Sequence, residues 1–216
     1  VGSVIVLAFI CQILWAMGIH GPNTIAAVRD TMFAEAVNSN VLYAAQHGTA
    51  WGAPFPVTFN GLFDAFGAYG GSGATLGLVI ALILFSKAKD QKSIAKLSLA
   101  PGIFNINEMV IFGLPIILNP IYIIPFVLAP IVNIIIGYSA TCIFKIIPPV
   151  AYGVPWTTPG PLIPFLGTGG NVLALLIGVL CLAVSVLIYA PFVIAAGKAS
   201  QVDDDNSEKD TTEGLA

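Results

Sequence analysis

Between Lys96 and Lys145 the chain carries one charged side chain, Glu108, and nearly everything around it is apolar. A chain that is 57% hydrophobic and 9% charged, with long stretches free of any charge, cannot keep enough polar surface to fold as a soluble domain. It reads as a polytopic, all-α membrane protein. In hydrocarbon a carboxylate costs several kcal/mol, so an acid retained there faces a cavity and serves a substrate, a proton or an ion. Asn105 and Asn107 beside it point to a polar pocket.

Four runs are apolar enough to span: Val1–Met17, Thr75–Phe85 with a possible start at Gly70, Ile121–Phe144 and Val172–Ala196. At about 1.5 Å rise per residue, about 20 residues cross a hydrocarbon core of about 30 Å. The second run is short and the first begins at the chain start. Val1 is not a methionine, so the sequence reads as the C-terminal portion of a longer polypeptide. A cleaved signal peptide would need a basic flank and a small-residue cleavage site, which Val4–Trp15 does not supply. Lys87, Lys89, Lys92 and Lys96 follow the second span and assign that loop to the cytoplasm. Two further crossings return the C-terminus to the same side.

The stretches between spans are apolar but interrupted by glycine and proline. They are Gly48–Gly73, Pro101–Pro120 around Glu108, and Pro148–Gly170, which reads PPVAYGVPWTTPGPLIPFLGTGG. Irregular backbone at membrane depth survives only where protein or water satisfies its amides, so these segments read as re-entrant hairpins or broken helices lining a cavity. A plain extracellular loop at Pro148–Gly170 is the competing reading. Asn23–Ala45 differs: Arg29, Asp30, Glu35 and Asn38 alternate with Ile25, Val28, Met32, Val37 and Leu42, as in an amphipathic helix at an interface or against a partner domain, with a solvated charged face. Residues 1–198 form the membrane domain, and 199–216 is expected to be a disordered acidic cytoplasmic tail.

Cys11, Cys142 and Cys181 lie in apolar runs without metal-ligand spacing, so neither a metal nor another cofactor is expected. No basic, aromatic-interleaved patch suggests nucleic acid. His20 follows the first span in a break flanked by Gly18, Gly21 and Pro22, where an imidazole can sit near membrane depth. Trp156 with Thr157 and Thr158, between Pro155 and Pro159, offers an indole face and hydroxyls suited to a sugar ring. Asp64 either lines the cavity or caps a half-helix. His47 ends the amphipathic helix, where a cation suits the macrodipole.

Taken together, GIHG at 18–21, NINE at 105–108 followed by FGLPIILNP, PWTTP at 155–159 and GTGG at 167–170 resemble the membrane subunit, enzyme IIC, of bacterial sugar phosphotransferase systems. The lactose, cellobiose and diacetylchitobiose branch is the nearest in pattern. The resemblance implies the substrate-binding half of a IIC transporter, with transmembrane helices and re-entrant hairpins, in the bacterial cell membrane. It further implies import of a β-linked disaccharide coupled to phosphorylation of its 6-hydroxyl by a phosphocysteine on a IIB protein. Sugar contacts then fall to His20, Asn107, Glu108, Trp156 and Thr157, with His20 and Glu108 the catalytic pair. The implied partners are the disaccharide, phosphorylated IIB, membrane lipid and a second copy joined through an N-terminal half. Two positions depart from the family pattern: Met109 stands where Asn-Glu-Pro is usual, softening the expected kink, and Asn171 stands where an aspartate is frequent.

Phosphoryl transfer needs in-line placement and an acceptor for the hydroxyl proton, and a carboxylate can serve. No phosphate-cradling GxxxxGK[ST] motif occurs, so the donor is another protein. The alternative is an ion- or proton-coupled secondary transporter in which Glu108 carries the coupling proton and no phosphorylation occurs.

Overall fold

A computed structural model describes residues 1–114 and 116–213, with side-chain surroundings through Gly197; Pro115 of the expected FGLPIILNP segment falls outside. Eight α-helices follow in order: α1 Gly2–Ala16, α2 Gly21–His47, α3 Thr75–Phe85, α4 Lys89–Ile103, α5 Glu108–Gly113, α6 Pro120–Tyr138, α7 Leu162–Gly167 and α8 Val172–Glu213. Wider π-helical turns occupy Asn60–Gly67 and Ser139–Ile143, and a 3-10 turn covers Ser72–Ala74. There is no strand among the described residues, so the fold is all-helical. The expected tail over 199–216 falls on residues whose side chains, and at 214–216 whose backbone, lie outside the description.

Among the described residues, three stretches are long and apolar enough to cross a membrane: Asn60–Phe85, Pro120–Ile143 and Val172–Gly197. The first of these starts well before the expected Gly70. Asn60–Gly67 is helical because Leu62, Phe63 and Phe66 all bury, a gain that outweighs its glycines and polar residues. The expected span at Val1–Met17 is the apolar but shorter α1, 15 residues long.

Asn60–Phe85 is the most enclosed of the three and forms the axis of the molecule. Its lower half, α3, packs on α8, and Gly77 permits the approach: a Cβ there would lie 2.6 Å from that of Ser185. Asn133 of α6 donates through Nδ2 to Ser185 Oγ at 2.9 Å, an interhelical hydrogen bond of the kind that joins membrane helices. Outward, α8 presents Leu173, Leu176, Val179, Leu180 and Leu187, all exposed, as an apolar face.

The helix expected over Asn23–Ala45 appears as α2, two residues longer at each end, but its faces are not sorted by polarity: Val28, Met32 and Leu42 are exposed as the acids are, and only Ile25 of the expected apolar residues is buried. His20 caps it, its Nδ1 accepting from Asn23 N at 3.3 Å, and Pro22 lies in the first turn. His47 closes it, before Gly48 at φ 68°. Asp30, Glu35 and Asn38 are exposed as expected, but Arg29 turns inward. Its Cζ lies 5.7 Å from the centre of the Phe59 ring while its Nε donates to Asp30 at 2.6 Å. That hydrogen bond holds the Asp30 carboxyl below the ordinary range. Buried Asn40 grips the backbone of Phe55 twice, accepting from its N and donating to its O, and so ties the segment after α2 back onto the helix.

Candidate functional site

The central span breaks between Ala68 and Ala74, and the break is held open by side chains from elsewhere. Gly70, Gly71 and Gly73 all take positive φ. At Gly71 (φ 89°) a Cβ would lie 2.7 Å from Asn107 Nδ2, so glycine is required both by conformation and by the close approach of the acid-bearing loop. The loop itself runs from the end of α4 into α5, and its two asparagines do the fastening. Asn105 accepts from Gly70 N at 2.8 Å and donates to Trp156 O at 2.7 Å and Thr158 O at 2.8 Å. Asn107 donates to Ser72 O at 3.0 Å. Both are buried, at 7% and 6% exposure, so part of the expected polar pocket is a set of backbone anchors.

Glu108 follows as the first residue of α5 and is exposed. It stands on an open face of this chain instead of inside an enclosed cavity. Met109 occupies the first helical turn, where a backbone N–H has no intrahelical partner, so methionine and proline serve equally there and the expected softening of a kink does not arise.

Trp156 and Thr157 occupy the two central positions of a turn closed by Thr158 N donating to Pro155 O at 3.0 Å. Both are exposed, Trp156 at 65%. The segment around them is not a detached loop. Ala151 N and Tyr152 N both donate to Gly167 O, and Ile147 and Ile163 bury against Ala65, Phe66 and Tyr69 of the central span. Asn171 accepts from Ala174 N at 3.1 Å and so caps α8, a role that an aspartate would fill in the same way.

His20 reaches the assembly through α1. Its ring centre lies 4.8 Å from that of Trp15, and Leu118 N, beyond α5, donates to Ala16 O at 3.1 Å. One turn earlier Cys11 lies beside Ser72. The loop at 105–108 is therefore bonded directly to both the break at 68–74 and the turn at 155–158, while the His20 turn abuts the segment after α5.

Of the two roles open to it, lining a cavity or capping a half-helix, Asp64 takes the first. It lies within the Asn60–Gly67 turn, accepts from Asn60 Nδ2 at 2.9 Å, and lines a cleft of about 130 Å³ between α2 and residues 150–154. No cluster of three or more potential metal ligands occurs among the described residues.

The sequence model described as phosphotransferase system, EIIC, matches residues 1–130. The chain belongs to this EIIC family. It is 40% identical to the cellobiose-specific EIIC component of Lactococcus lactis subsp. lactis (strain IL1403), over 94% of this chain and 44% of that protein. It is 36% identical to the lichenan permease IIC component of Bacillus subtilis (strain 168), over 88% and 41%. A crystal structure of ChbC, the IIC component of the N,N'-diacetylchitobiose-specific phosphotransferase system, matches this EIIC chain with a TM-score of 0.85 and 36% identity, covering 94% of it and 46% of ChbC. The chain thus spans less than half the length of these relatives. Its all-helical fold is that of the IIC transporter.

Sequence reading missed the backbone fastening by Asn105 and the clamp by Asn40. No sequence signal identified the first, because GGSG at 70–73 and NIN at 105–107 stand far apart in the chain and meet only in the fold.

Proposed function

We propose that this chain is the substrate-binding half of a sugar permease that takes a β-linked disaccharide and delivers it phosphorylated to the cytoplasm. The observation that carries the reading is Asn105, which ties the broken span, the Glu108 loop and the Trp156 turn into one unit. Trp156 supplies a flat apolar face for a pyranose ring, Thr157 a hydroxyl, and Glu108 and His20 polar groups that can read sugar hydroxyls. Relatives named for cellobiose, lichenan and diacetylchitobiose support the β-linked disaccharide as substrate class.

In the proposed reaction the sugar 6-hydroxyl oxygen attacks the phosphorus of a phosphocysteine on a IIB partner. The O–P bond forms, the P–S bond breaks, the thiolate leaves on IIB, and Glu108 accepts the hydroxyl proton. Most of the acceleration comes from holding the hydroxyl in line. The lysine-bearing start of α4 lies on the cytoplasmic side together with the C-terminus, and the homodimer forms through the other half of the longer protein.

Vesicles containing the full-length protein, supplied with phosphorylated IIB inside, test this. Labelled cellobiose should appear as sugar phosphate, and Glu108→Gln should insert normally yet abolish its formation. Accumulation of unmodified sugar that collapses with an uncoupler would establish the coupled-transporter alternative instead.

A further inference from the structure

We propose that Gln12 and the indole N–H of Trp15 form a buried polar subsite behind His20 that receives a hydroxyl group, an inner extension of the sugar site. The inference rests on the sugar-binding reading above. Gln12 is fully buried, and neither its amide nitrogen nor its amide oxygen has a partner; Trp15, at 6% exposure, has an equally unpartnered Nε1. Three residues apart on α1, they share one face. The rest of the buried stripe on α1 is Val4, Leu7, Ala8, Cys11 and Ala16, which offers them nothing to bond.

An unpaired amide in such surroundings costs about 1–3 kcal/mol, whereas a methionine or leucine of similar shape would cost nothing. A complementary polar group placed there would return that cost as hydrogen bonds, and here three unpaired polar atoms from two side chains lie one turn apart. Location says which group it is. The Trp15 ring touches the His20 ring at one end of the stripe, and at the other Cys11 lies beside Ser72, whose carbonyl holds Asn107 next to Glu108. The subsite therefore lies between the two proposed catalytic residues.

Its chemistry is two amide donors, one amide acceptor and one indole donor, with no formal charge. The complement is a small neutral group that both donates and accepts, which is an O–H. It belongs either to the sugar itself or to an internal water that relays to the sugar.

The test is calorimetric titration of the full-length protein in lipid nanodiscs with cellobiose and a series of its monodeoxy analogues, for the parent, Gln12→Met and Trp15→Phe. Both variants should bind cellobiose about tenfold more weakly, with the melting temperature of the sugar-free protein unchanged or raised. If the hydroxyl is the sugar's, one analogue will bind parent and variants alike. If it is water, every analogue will lose the same factor. A variant that binds as tightly as the parent overturns the subsite, and so does a uniform loss accompanied by a lower melting temperature, which marks a packing defect. Should Gln12→Met fail to insert, Trp15→Phe decides, since it keeps the aromatic packing and deletes the N–H. Failure of the parent to bind any β-linked disaccharide would overturn the proposed function and this subsite with it.

Discussion

Asn105 takes φ 65°, a left-handed conformation that asparagine tolerates better than most side chains, and its amide is spent on three backbone groups in two other segments. Asn105→Asp keeps the shape and removes both donors. It should lower stability by about 2–4 kcal/mol, because two part-buried carbonyls lose their partner and a carboxylate is left facing them. Unfolding in detergent would measure this, and protease cleavage near Trp156 should quicken. The polarity of the Glu108 neighbourhood was legible in NINE. The partners of Asn105 were not, since they lie 35 and 53 residues away and nothing local encodes them. Gln12 was equally hidden: a single amide in an apolar run becomes informative only once its burial and lack of partners are known.

At the scale of elements, the central span explains why hydropathy found half of the helix and not the rest. Thr75–Phe85 is uniformly apolar and was read as a span; Asn60–Gly67 mixes Asn60, Asp64 and two glycines with its aromatics and was read as irregular. Tertiary burial of Leu62, Phe63 and Phe66 overrides that composition. The junction at Gly73 is the most exacting point, for a Cβ there would enter the Phe126 ring and the residue holds φ 80°. Gly73→Ala should therefore cost more than about 3 kcal/mol, strain and overpacking combined, and should reduce the yield of monodisperse protein in size-exclusion chromatography. Asn133, which joins α6 to α8, contrasts with Asn105. Its Oδ1 is unpartnered, so Asn133→Leu loses one hydrogen bond but also removes an unpaired acceptor, and stability should change by no more than about 1 kcal/mol in the same unfolding assay.

For the whole molecule, four apolar runs and three interrupted ones were visible in composition alone, because hydrocarbon imposes its rule on every residue it touches. How the interrupted stretches fold against one another was not visible. Pro148–Gly170 is a packed layer over the central span, where composition left a plain loop as the competing reading. Orientation is testable directly. Ser93 is exposed on α4 among the lysines, so a cysteine placed there should react with an impermeant reagent only from the cytoplasmic side. Labelling from outside would invert the arrangement.

The fastening of the broken span by side-chain amides also gives this protein a chemical lifetime. Deamidation of Asn105 or Asn107, a common lesion of thermolabile asparagine, passes through a succinimide to aspartate or isoaspartate, so a donor becomes a carboxylate and part of the product gains a main-chain carbon. Protein held warm in storage should thus lose ligand recognition while its helices persist, ageing from the inside of the site outward.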